Sequence, residues 1–123
     1  MLIKLYCLDT YALIEIAEGN PKFSFLMREE FVIPSTTLAE FCRVLLKNRD
    51  EGEIDYWINR LLGFGVDVKK DTMLKAQKFR YTNKRRNISF FDSVGYIFSL
   101  ENDCLFVTGD KEFKNLRGVR YIS

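Results

Sequence analysis

Two aspartates stand where side-chain chemistry could be positioned. Asp9 closes the apolar run from Leu2 to Leu8, and Asp110 follows the run Cys104-Leu105-Phe106-Val107 through Thr108-Gly109. If the two runs are parallel neighbouring strands, both carboxylates lie at one edge of a sheet. Each also has an ordinary structural role open to it. Asp9 can cap the helix that follows it, and Asp110 can serve its own turn. Glu40, three residues after Thr37, and Asp92, three residues after Ser89, have capping-box spacing. Both lie away from the apolar stripe of their helices, so spacing alone assigns them to capping. The chain has no histidine. That excludes Ser-His-Asp and Cys-His catalysis and any His-ligated metal. A metal held by oxygen alone would be a hard cation, Mg2+ or Mn2+ in preference to Zn2+.

The elements that must position these acids can be read from periodicity. Leu2 to Leu8 fits a buried parallel strand. Tyr11 to Ala17 fits a helix stopped by Gly19-Asn20, and Pro21 suits the first position of a short helix reaching about Arg28. Phe31-Val32-Ile33, closed by Pro34, is a second strand. Ser35-Thr36-Thr37 offers caps for a helix whose Leu38, Phe41, Cys42, Leu45 and Leu46 form an apolar stripe. After a loop from Asn48 to Gly52, Ile54, Trp57, Ile58, Leu61 and Leu62 repeat that spacing. Gly63-Phe64-Gly65 ends the helix; without a third glycine, and placed after a helix, it is not a dinucleotide fingerprint. Val66-Asp67-Val68 is a third short strand. Asp71 is a cap for a helix to about Arg86, with Met73, Leu74, Ala76 and Phe79 inward. A helix from Ser89, the strand from Cys104, a turn from Lys111 to Asn115 and a last strand from Val119 to Ile122 complete the chain. The alternation means an α/β sandwich: a mainly parallel sheet of about five short strands flanked by helices. Ligands of such folds bind at the carboxyl ends of the strands.

The bulk properties narrow the classes. A chain of 123 residues is expected to be one domain, 1–123, and 47% hydrophobic with 29% charged residues argues against disorder. The formal net charge is only +2, but Lys75, Lys78, Arg80, Lys84, Arg85 and Arg86 crowd one segment. They serve either as a solvated helix end or as contacts for a nucleic-acid backbone, the second reading gaining only if the acids form a site nearby. Cys7, Cys42 and Cys104 include no C-x-x-C pair and are odd in number, which points away from zinc and from a disulfide framework. Buried reduced thiols in a cytoplasmic protein are expected. No run approaches a membrane span.

Over essentially its full length the chain resembles a PIN domain, most closely the compact VapC-type toxin nucleases. The residues that carry the resemblance are Leu8-Asp9-Thr10 after the first strand, Leu38-Ala39-Glu40 in the helix after the second, Asp92 early in a late helix, and Val107-Thr108-Gly109-Asp110-Lys111-Glu112-Phe113 after the fourth strand. Tyr11 stands where the family often has a small polar residue, and Ser93 where alanine is common.

The resemblance implies a three-layer sandwich with an acidic pocket for Mg2+ or Mn2+, formed by Asp9, Glu40, Asp92 and Asp110. Asp9 and Asp92 would then be the more direct ligands, and Asp110 would act through water or electrostatics. Thr10 and Thr108 would be accessory hydroxyls. Crowded carboxylates raise one another's pKa; a divalent cation relieves that repulsion and activates water against a phosphodiester. The implied activity is that of an endoribonuclease leaving a 5′-phosphate and a 3′-hydroxyl, with an antitoxin protein as partner and a homodimer as assembly. Tyr11 would narrow the site or stack on a base. Charge suggests Lys84, Arg85, Arg86 and Lys111 for holding the RNA backbone. Two other readings are a non-catalytic or RNA-processing PIN-domain protein that binds RNA in a larger assembly, and a phosphorylation receiver. The receiver fits poorly, because Leu8 precedes a lone Asp9 and no lysine follows a fifth strand.

Overall fold

Period-two alternation sorts the strand residues between two apolar layers. The computed structural model describes residues 4–123; the start of the expected first strand, Leu2 and Ile3, lies outside them. Five strands, β1 (Tyr6–Leu8), β2 (Phe31–Pro34), β3 (Gly65–Val66), β4 (Leu105–Thr108) and β5 (Val119–Tyr121), form one sheet in the order β3-β2-β1-β4-β5. Every pairing is parallel. Tyr6, Leu8, Phe31, Ile33 and Val107 join one core with Leu13, Phe41, Leu45 and Leu61. The alternate positions Cys7, Val32 and Phe106 join the other, with Tyr96, Phe98 and Phe113. The helices divide in the same way. Side chains of α1 (Thr10–Ala17), α2 (Ser35–Asn48) and α3 (Glu51–Leu61) fill the first core, and those of α4 (Lys70–Thr82) and α5 (Phe90–Glu101) the second. This is the expected three-layer sandwich. Among the described residues no helix is long and apolar enough to cross a membrane, and the three cysteines are free.

The register places the acids. Leu8 is opposite Val107, and the Asp9 amide donates to Val107 O at 3.2 Å. Asp9 therefore leaves the sheet beside Thr108, two residues before Asp110. The outer layers approach each other closely at this edge. A Cβ on Gly95 of α5 would stand 2.8 Å from the Phe106 ring and 3.7 Å from the Thr37 hydroxyl of α2. Glu40 lies three residues after Thr37 and Asp92 three before Gly95, so each shares a helix face with its contact residue.

Several local expectations are corrected. None of Ser35, Thr36 and Thr37 caps α2: the helix starts at Ser35 with Pro34 at the cap position, and Thr37 is buried within it. Glu40 is thus no member of a capping box. Pro21 does not open a helix; a 3₁₀ segment begins later, at Ser24–Arg28. Asp50 caps α3 by accepting from the Glu53 amide, so the helix begins within the expected loop. Asp71 lies inside the first turn of α4, whose cap position is Lys69. The same helix stops at Thr82, short of Arg86, because the Asn83 side-chain amide takes the Phe79 carbonyl at 2.9 Å. Leu74, placed inward by periodicity, is 64% exposed. Leu46 and Leu62 are exposed as well, while their neighbours Leu45 and Leu61 are buried; consecutive helix positions diverge too far for both to reach one core.

Candidate active site at the carboxyl edge of the sheet

Asp9 is 2% exposed and does perform the capping role open to it. Its Oδ1 accepts from the Ala12 amide at 2.7 Å, which satisfies one orphan donor of α1. Its Oδ2 is buried without a hydrogen-bond partner. A buried, acceptor-only oxygen in this state lacks a proton or a cation. The Asp9 carboxyl is accordingly held well above the usual range, first by burial and then by the negative charge of Asp92. Asp110 adds to the rise, while Thr108 and the Ala12 amide oppose it.

Asp92 sits in the first turn of α5, where its amide donates to the Ser89 hydroxyl at 3.1 Å. The expected Ser89 cap is therefore present and engages the Asp92 backbone. Burial, followed by the charges of Glu40 and Asp110, pushes the Asp92 carboxyl up to about 6. Glu40 takes a 2.7 Å hydrogen bond from the Thr10 hydroxyl, which ties the start of α1 to α2. Asp110 accepts from the Glu112 amide at 3.0 Å, and its own amide donates to the Thr108 hydroxyl at 3.0 Å. Four acids distant in sequence thus converge on one edge, with Thr10 and Thr108 holding their supports.

The oxygen-only donor set and the orphaned Asp9 Oδ2 fit a hard divalent cation. Structural donors already occupy one oxygen each of Asp9, Glu40 and Asp110. Among the described residues no three acidic or sulfur ligands are drawn together as a metal cluster. Mutual repulsion works against such a cluster when no cation is present.

Tyr11 and Gly109 shape the rim. A Cβ on Gly109 would stand 2.1 Å from Tyr11 Cε1 and 2.5 and 2.6 Å from its ring neighbours Cζ and Cδ1. That pattern belongs to a point over the ring face, not beside its edge. The Gly109 backbone therefore lies flat against Tyr11, whose ring also meets Phe23 at 6.0 Å. Tyr11 remains 39% exposed, beside the two buried residues Asp9 and Thr10.

The four cations singled out by charge lie in different settings. Arg86 Nη1 donates to the Glu112 carbonyl at 2.8 Å, which joins the basic stretch to the Asp110 turn. The Lys84 ammonium stands 4.8 Å from the Tyr81 ring centre. Arg85 and Lys111 are exposed, Lys111 directly after Asp110. The Arg86–Glu112 link had no signal in the sequence, since a side chain meeting a distant carbonyl leaves no pattern of residue types.

The sequence pattern that defines the PIN domain matches residues 6–119. No curated protein matches the chain by sequence. Among solved structures, a toxin–antitoxin complex from Klebsiella pneumoniae contains a chain similar to this one at a TM-score of 0.76 and 16% identity, over 95% of this chain and 99% of that one. The Mycobacterium tuberculosis toxin VapC20, which cleaves the sarcin–ricin loop, gives 0.76 and 15% over the same shares. VapBC2 from Rickettsia felis, bound to a DNA fragment from its promoter, gives 0.75 and 15%, over 96% and 97%. At such identities the likeness is one of fold. The matched sequence pattern extends from the first strand into the last, and the chain belongs to the PIN domain family.

Proposed function

We propose that this protein is a metal-dependent endoribonuclease, the toxin of a VapBC-type toxin–antitoxin pair, acting in the cytoplasm. The observation that carries the reading is the convergence of Asp9, Glu40, Asp92 and Asp110 on one sheet edge, with Asp9 Oδ2 buried and unpartnered. Mg2+ or Mn2+ would be held by these four acids, Asp9 and Asp92 foremost. When bound, such an ion supplies acidified water and positive charge against the phosphate.

The chain's own residues supply the rest. The Ala12 amide fixes Asp9, and Thr10 fixes Glu40. The Ser89 hydroxyl holds the Asp92 amide and so positions Asp92 at the start of its helix. Attack of the water oxygen on phosphorus expels the 3′-oxygen, which leaves a 5′-phosphate and a 3′-hydroxyl. Lys84, Arg85, Arg86 and Lys111 neutralise flanking phosphates. The fold neighbours that are toxin–antitoxin complexes support a cognate antitoxin as partner, and the resemblance supports a homodimer.

The test is cleavage of RNA with added Mg2+ or Mn2+. Activity should stop with EDTA and fall roughly 100-fold or more in Asp9→Asn and in Asp92→Asn, the scale on which loss of an electrostatic stabiliser acts. Full activity in both variants would refute the assignment. A second reading is an RNA-binding PIN-domain protein without cleavage. RNA binding with no metal-dependent cleavage across varied substrates would select it.

A further inference from the structure

A groove of about 400 Å³ opens between the last turns of α4 and the segment leading into α5. Its polar lining consists of Gln77, Arg80, Tyr81, Lys84, Arg86 and Asn87. These residues present three cations and no carboxylate. Tyr81 is 73% exposed; the Lys84 ammonium stands over one face of its ring, 4.8 Å from the centre, which leaves the opposite face for a base to stack on. Gln77 and Asn87 bring amide groups able to meet the edge of a base.

The wall of the groove is fixed. Arg80 Nε donates to the Ile88 carbonyl at 3.1 Å, and Arg86 to the Glu112 carbonyl at 2.8 Å. Both anchors lead to the acids: Ile88 precedes Ser89, which holds the Asp92 amide, and the Glu112 amide is held by Asp110.

We infer that this groove is a subsite for an unpaired nucleotide of the RNA substrate, next to the one whose phosphodiester is cut. Tyr81 stacks on the base, Lys84 and Arg86 meet the phosphates, and Gln77 and Asn87 face the base edge. A ring, flanking cations and amides are the groups that recognise single-stranded RNA. A duplex, with its bases stacked inside, offers nothing to Tyr81. The inference rests on the ribonuclease reading and adds to it the groove and the residues that would hold the neighbouring nucleotide.

The experiment measures binding of a short fluorescent single-stranded oligoribonucleotide in EDTA, and of the same strand annealed to its complement. Parent protein, Tyr81→Ala, Tyr81→Phe and Lys84→Gln are compared. Tyr81→Ala should bind the single strand about tenfold more weakly, the loss of one stacked base. Tyr81→Phe should stay within about twofold of the parent, since the ring is kept. The duplex should be indifferent to Tyr81. Because Tyr81 is exposed, unchanged thermal melting certifies the fold of each variant. Parent-like affinity in Tyr81→Ala overturns the inference and leaves the groove to a protein partner. If the parent cleaves RNA and Tyr81→Ala does so with the same KM, the subsite fails while the ribonuclease stands. If Tyr81 governs binding but the parent never cleaves, the ribonuclease reading fails while the groove stands as a site for unpaired RNA.

Discussion

At Asp92, burial and the charges of Glu40 and Asp110 hold the carboxyl near 6, against about 3.9 in an unfolded chain. Between those values the native state binds more protons than the unfolded state, so stability falls as pH rises from about 4 to about 6. Above that window the full penalty remains, about 3 kcal/mol. Asp9, held well above its usual range by burial and by Asp92, adds a penalty of the same sign. Asp92→Asn should therefore melt at a higher temperature than the parent at pH 7.5 in EDTA, and the gap should close toward pH 4. Added Mg2+ should raise the parent's melting temperature and leave the variant's nearly unchanged. Thermal melts across pH, with and without Mg2+, check both expectations; a variant less stable than the parent at pH 7.5 would contradict them.

The approach of α1 to the turn after β4 depends on Gly109. Its φ is not positive, so glycine is required there for space and not for backbone conformation. A methyl group at 109 would enter the Tyr11 ring. Gly109→Ala should destabilise by about 1–3 kcal/mol, as overpacking does, and Tyr11→Ala added to it should restore part of the loss. Denaturant melts of the two single variants and the double variant measure that coupling. Asp9 and Asp110 were legible because each follows its own strand, and parallel pairing of β1 with β4 brings strand ends together. The convergence of Glu40 and Asp92 was not legible from spacing. It depends on Gly95 letting α5 lie against Phe106 and Thr37, a tertiary contact between helices of opposite layers. The resemblance named those two acids where local pattern assigned them to caps. Helix ends were misread for a related reason. Asn83 and Pro34 set the ends of α4 and α2, while Asp71 and Thr37, which looked like caps, lie inside the helices.

Across the whole molecule the net charge is small, +2, so long-range attraction for RNA is weak and the local groove must carry it. Three cations line that groove. If Lys84, Arg85, Arg86 and Lys111 each meet one phosphate, the logarithm of RNA affinity should fall against the logarithm of salt with a slope of about −3, and Lys84→Gln should lessen it by about 0.7. A salt titration of oligonucleotide binding measures this, and an unchanged slope would remove Lys84 from the contacts. We propose that layers from both sides of the sheet close a single cation pocket from Asp9, Glu40, Asp92 and Asp110. Anomalous scattering from crystals soaked in Mn2+ tests it most directly. The expected result is manganese bound between Asp9 and Asp92, with Glu40 and Asp110 around it and Asp9 Oδ2 among its ligands. Manganese elsewhere, or acids too widely spaced in the crystal to share an ion, would contradict it.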